Sequence, residues 1–136
     1  MVQLIYGPKG SGKTKRLIDM ANAELEATTG DVVFIDDDKR YMYDVKRQVR
    51  FVDITEYAVN NEERLLGFFG GVLSQNFDIT AIYIDAFMHI IDKKPEEIEG
   101  LFNQLKDMAD KRDIKLVINI SSKDDNAPEF LKDYII

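Results

Sequence analysis

Five short runs set the limits on what this chain can fold into: "VQLIY" (2–6), "DVVFID" (31–36), "RFVDI" (50–54), "TAIYID" (80–85) and "KLVINI" (115–120). Most of them are apolar on both parities instead of alternating apolar with polar. Strands of that kind have no face to give to water and must be covered on both sides. Helical stretches fall between them, at about 13–28, 40–48, 61–75, 95–111 and 128–133. Strand and helix in alternation predict a parallel sheet between two helical layers. Hydrophobic residues make up 45% of the 136, enough for one such core, so residues 1–136 read as a single domain.

Local signals place the helix ends. Gly30 is a natural terminator for the first helix. Asn60 followed by Glu63 suits the start of the third, and Pro95 a first helical position. Gly67, Gly70 and Gly71 fall inside the third helix, where each costs about 1 kcal/mol against alanine. Close packing on the sheet or an early helix end would explain them.

Between the first strand and the first helix lies "GPKGSGKT" (7–14), with Gly7, Gly12, Lys13 and Thr14 in the pattern G-x-x-x-x-G-K-[ST]. Gly7, Gly10 and Gly12 can take backbone angles closed to other residues. Successive N–H groups then turn inward as an anion nest, reinforced by the positive end of the new helix. Lys13 adds a mobile full charge, and Thr14 offers a hydroxyl to Mg²⁺. The stretch resembles the Walker A loop of P-loop NTPases. The resemblance implies a nucleotide-binding set of Gly7, Pro8, Lys9, Gly10, Ser11, Gly12, Lys13, Thr14 and Lys15.

A second half of such a site stands in "ITAIYID" (79–85), where an apolar run delivers Asp85 to the carboxyl end of a strand. This resembles a Walker B motif, and Asp85 would then share Mg²⁺ with Thr14. Many ATPases with this motif place a glutamate directly after the aspartate, but here the next residue is Ala86. RecA-like ATPases differ: their catalytic glutamate ends the second strand, and the residue after the Walker B aspartate is small. "DVVFIDDDKR" (31–40) ends its strand with three carboxylates. Asp38 is the candidate for water positioning, with Asp37 behind it and Asp36 third; a charged, solvated turn is the plain alternative. Ser121, then Ser122, in "NISSK" fits the polar γ-phosphate sensor that such ATPases carry at the end of a later strand.

The chain therefore resembles a minimal RecA-like core of the P-loop NTPase superfamily. The fold implied is a three-layer α/β sandwich with a mostly parallel sheet of five or six strands. Its order would be 50–54, 31–36, 80–85, 115–120, 2–6, with "DYII" adding a short strand beside 2–6. The activity implied is Mg²⁺-dependent binding of a nucleoside triphosphate, ATP first, with slow hydrolysis. Lys13, Asp38 and Asp85 would be the catalytic residues. A non-hydrolysing nucleotide switch and a small-molecule kinase are the alternatives. Any arginine finger would come from another chain, either a homo-oligomer or a separate protein.

His89, the one histidine, reads as a packed or surface residue. "KRYMYDVKRQVR" (39–50) reads as an exposed amphipathic helix with Met42 and Val45 inward, or as a cover for base or phosphates. A net charge of −7 argues against nucleic-acid binding. Without cysteine there is no disulfide and no cysteine metal site, so the zinc lobe of thymidine-kinase-type enzymes has no counterpart. No run approaches the length of a membrane helix and no signal-peptide pattern opens the chain, so a cytoplasmic location is expected.

Overall fold

A computed structural model describes all 136 residues. Its sheet has five strands: β1 (Val2–Gly7), β2 (Asp31–Asp36), β3 (Val49–Asp53), β4 (Ile79–Ile84) and β5 (Lys115–Ser121). All pairings are parallel and the order is β1-β5-β4-β2-β3, the order that the resemblance implies. One further parallel bridge joins Leu4 to Ile135, so "DYII" touches β1 at a single point and adds no full strand.

The strands are apolar on both parities because each face has its own helical cover. Helix α1 (Lys13–Ala27) buries Leu17, Ile18 and Ala21. These pack with Ile5, Val32, Phe34, Ala81, Tyr83 and Val117 in one cluster of buried residues. The neighbouring positions Leu4, Val33, Ile35, Ile82, Ile84, Leu116 and Ile118 belong to a second, larger cluster. There they meet α2 (Glu62–Gln75), α3 (Phe87–Ile91), α4 (Glu99–Lys111) and α5 (Glu129–Lys132). The architecture is three layers, with α1 on one face and the other helices on the opposite one.

Several local expectations need correction. Residues 40–48 form no helix. Asn22 on α1 donates to Asp44 O at 3.1 Å and accepts from Lys46 N at 2.8 Å. It thereby takes two backbone groups that a helix would pair internally. The segment becomes a string of turns pinned to α1, with Val45 buried beneath it. The cap of α2 is Asn61, not Asn60, and its side chain accepts from Arg64 N at 2.8 Å. The stretch from Pro95 begins as a 3₁₀ turn over Pro95–Glu97, and α4 starts only at Glu99. The short helix α3 had no signal in the sequence reading.

The glycines also differ from expectation. α1 ends at Thr28, in extended backbone, before Gly30 is reached. A Cβ on Gly30 would lie 2.3 Å from Thr80 Cγ2 and 2.5 Å from Asp78 O, so Gly30 serves a close approach to β4. Gly67 and Gly71 would meet nothing within 4 Å, and Gly70 only Met108 Sδ at 3.7 Å. Neither close packing nor an early helix end accounts for this trio.

Candidate functional site

Three polar or charged residues are buried in the whole chain: Asp36, Asp85 and Asn119. They share one place. Asp36 ends β2, Asp85 follows β4 and Asn119 lies near the end of β5. Parity fixes their side of the sheet. Asp36 continues the row of Val32 and Phe34, Asp85 that of Ala81 and Tyr83, and Asn119 that of Val117. All three therefore lie on the face that α1 covers, where the start of α1 meets the strand ends.

The loop that leads into α1 closes the site. Gly10 and Gly12 have φ of +80° and +83°, a left-handed region that favours glycine. Gly7 is tight for a different reason: a Cβ there would press on Ser11 Oγ at 3.3 Å. No backbone N–H from Lys9 through Lys15 donates to a protein acceptor; the next, Arg16 N, bonds to Gly12 O at 3.1 Å. The bend thus gathers a run of free N–H donors at the positive end of a four-turn helix. Lys13 Nζ donates to Pro8 O at 2.6 Å, folding back over the loop. Partial burial pulls the Lys13 ammonium below the ordinary lysine range. The Asp85 charge opposes that shift and Lys9 adds to it.

Thr14 and Asp85, 71 residues apart, meet here: Thr14 Oγ1 donates to Asp85 Oδ2 at 3.0 Å. Asn119 Nδ2 donates to Asp85 Oδ1 at 2.9 Å, so each carboxylate oxygen has a donor. Asp85 N also donates to Ile35 O at 2.8 Å, which carries the sheet ladder one residue past β4. Ala86 then takes φ +55°, a left-handed turn that starts α3 at once. Such a turn is unfavourable for a residue with a Cβ by roughly 1 kcal/mol. A hydroxyl and a fixed carboxylate form an all-oxygen donor pair, which suits Mg²⁺ better than a softer metal.

The three carboxylates after β2 part company. Asp36 is buried; its Oδ1 accepts from Asp37 N at 2.8 Å, while Oδ2 has no partner. Burial first, and then the charge of Asp85, push its carboxyl up to about 8. Asp37 Oδ2 lies 2.5 Å from His89 Nδ1 on α3. Asp38 turns outward, and each of its oxygens accepts from Arg40, one from the backbone N at 2.8 Å and one from the guanidinium at 3.1 Å. Carboxylate oxygens of the three lie within 4.8 Å of one another. With Asp37 paired to His89 and Asp38 to Arg40, the group reads as two side-chain pairs beside a buried acid.

A cleft of about 880 Å³ joins these parts. Lys9, Gly10, Gly12, Lys13, Thr14, Lys15, Asp36, Asp37, Asp38, Asp85 and Ser121 line it, as do Ala86 and His89. Gly7, Pro8 and Ser11 shape the loop from behind and are not on its wall. The far end runs along α1 past Ile18 and Asn22 to Arg40, Tyr41 and Asp44. Ser121 lies on the wall, while Ser122 N donates to Gly7 O at 3.1 Å and ties the end of β5 to the loop.

The sequence motifs do not point to Asn119. Its parity with Val117 was the available signal: a polar residue at an inward position next to a strand end. His89 was read as a plain packed or surface residue, because its partner Asp37 lies 52 positions away. No helix is long and apolar enough to cross a membrane. No family model and no curated protein matches this chain.

Proposed function

We propose that the chain is a minimal P-loop nucleotide-binding protein with a RecA-like core. In this reading it binds Mg²⁺ and a nucleoside triphosphate, ATP first, and hydrolyses it slowly. The observation that carries the reading is the run of free backbone N–H groups from Lys9 through Lys15, set beside Lys13 and the Thr14–Asp85 pair. Free donors at a helix start, a mobile ammonium and an all-oxygen metal pair are the three things a Mg²⁺–triphosphate needs. The strand order supports the RecA-like part: β5 separates the loop strand from the Asp85 strand, and β2 lies just beyond it.

The loop N–H groups and Lys13 would hold the phosphate oxygens and balance charge as it spreads over the transferred group. Thr14 and Asp85 would hold Mg²⁺, which when bound neutralises charge on the phosphates. Asn119 fixes Asp85, so one donor set keeps its geometry. Asp38 would orient the attacking water with a lone pair that Arg40 leaves free. Ser121 faces the same cleft and would sense the terminal phosphate.

Titration with a fluorescent ATP analogue and Mg²⁺, beside a phosphate-release assay, tests the reading. Wild type should bind and turn over slowly, and Lys13→Ala should weaken both by about 100-fold. Binding without phosphate release would move the protein to a nucleotide switch. Release that rises with an added hydroxyl acceptor would move it to a kinase. Wild type that binds no better than Lys13→Ala ends the reading.

A further inference from the structure

We propose that His89, oriented by Asp37, accepts the proton of the water that attacks the γ-phosphate. The proposal rests on the nucleotide-hydrolysis reading above and names a proton acceptor that the reading leaves open.

The geometry of the pair comes first. Asp37 Oδ2 and His89 Nδ1 are 2.5 Å apart, a charge-assisted hydrogen bond. With Nδ1–H donated to the carboxylate, the neutral ring keeps Nε2 as its acceptor. The carboxylate is the less exposed member of the pair. Asp37 follows the last residue of β2, and its side chain is 19% exposed, against 79% for His89. A sheltered carboxylate behind an accessible imidazole is the arrangement of a base and its orienting group. An exposed ion pair on an open surface would have two mobile members and little consequence.

Placement comes second. His89 is on the wall of the cleft that also holds Lys13, Thr14 and Asp85. The left-handed turn at Ala86 brings it there, by starting α3 directly after Asp85. The other candidates are poorly placed to take a proton and pass it on. Asp36 is buried, and each oxygen of Asp38 already accepts from Arg40. The charged groups that line the cleft with His89 are Lys9, Lys13, Lys15 and Asp19 of the loop and α1, Asp36 at the end of β2, Asp37, Asp38, Arg40 and Asp44 after it, and Asp85 after β4. Helix α3 carries no other ionisable side chain.

The step balances without another reagent. The water oxygen forms a bond to the γ-phosphorus, and the bond from that phosphorus to the β,γ-bridging oxygen breaks. The bridging oxygen keeps the electron pair and leaves on the diphosphate. The water proton goes to His89 Nε2, while Nδ1–H stays on the Asp37 carboxylate. The exposed imidazolium then returns its proton to solvent.

The test compares wild type, His89→Gln and Asp37→Asn in phosphate release from Mg-ATP between about pH 5 and 9, with binding of the fluorescent analogue measured on each. His89→Gln should lower kcat by roughly 100-fold and leave analogue affinity within about twofold. The acid limb of the wild-type kcat profile should vanish in this variant. Asp37→Asn should lower kcat by a smaller factor than His89→Gln, because an amide holds the imidazole Nδ1–H less firmly than the carboxylate does. A kcat and pH profile unchanged in His89→Gln overturns the proposal. So does a wild type that binds nucleotide and releases no phosphate at any of these pH values; the nucleotide-binding reading survives both results. Loss of analogue binding in wild type would instead overturn the reading itself, and this proposal with it.

Discussion

Two buried aspartates stand at adjacent strand ends and live under opposite conditions. Asp85 has a donor on each oxygen, Thr14 at 3.0 Å and Asn119 at 2.9 Å. Asp36 is at least as buried, yet has one backbone donor and one oxygen with no partner. The consequence is electrostatic. Asp36 is pushed up to about 8, by burial and then by its charged neighbour Asp85. Of two such carboxyls side by side, the bare one is the one pushed up, and it holds a proton at neutral pH. Burial alone does not predict which is which; the donors do.

The largest effect that would test this contrast is on catalysis. Asp85→Asn keeps the shape and removes the charge, so phosphate release should fall about 100- to 1,000-fold. The same change should lower the Asp36 pKa, because the like charge is gone. NMR titration of the Asp36 carboxyl carbon in wild type and variant reads that shift. An unchanged Asp36 would show that burial accounts for all of it.

Next comes the donor. Asn119→Ala strips Asp85 of its Asn119 hydrogen bond and leaves Oδ1 buried and bare. Denaturant unfolding at pH 7 should show a loss of about 2 kcal/mol. The pH dependence of unfolding then addresses Asp36 directly. Its folded pKa is raised above the unfolded value, so its contribution to stability is fully present below about pH 4. That contribution falls as pH rises and is lost once pH passes about 8. Asp36→Asn should flatten this slope and make the protein more stable than wild type at pH 8 by roughly 1–3 kcal/mol. A wild-type curve that is flat from pH 4 to 8 would end the argument for a bare, protonated Asp36.

How far the sequence carried these distinctions depends on what each part rests on. The sheet was legible because its strands are short, apolar on both parities and bounded by turns. Its order was legible only through the resemblance carried by the 7–14 and 79–85 motifs. The Thr14–Asp85 contact followed from the same two motifs. The fate of Asp36, Asp37 and Asp38 was not legible, because three identical letters give no hint of burial. Their differences arise from their partners: Asp85 after the neighbouring strand, His89 on a helix with no sequence signal, and Arg40 two residues on in the same turn. The helix expected at 40–48 failed for the same reason, since Asn22 captured its backbone from a distance. Helix α2 shows the converse. Its three glycines are legible as a cost, and nothing around them repays it.

Asp38 provides the smallest and sharpest test, since it shares the sequence of its neighbours and is the most exposed of the three. Its side chain is 42% exposed and its partner Arg40 is 69% exposed. Exposed pairs of this kind contribute little, so Asp38→Ala should change stability by less than about 0.5 kcal/mol. If Asp38 orients the attacking water, the same variant should still release phosphate about 10-fold more slowly, with nucleotide affinity intact. Arg40→Ala separates the two effects. It frees the Asp38 oxygen that the guanidinium holds and leaves the backbone N–H of residue 40 on the other, so a water-orienting Asp38 should lose little activity or gain some. Equal losses in the two variants would mean that the ion pair acts as a strut for the turn after β2, and that Asp38 touches no substrate.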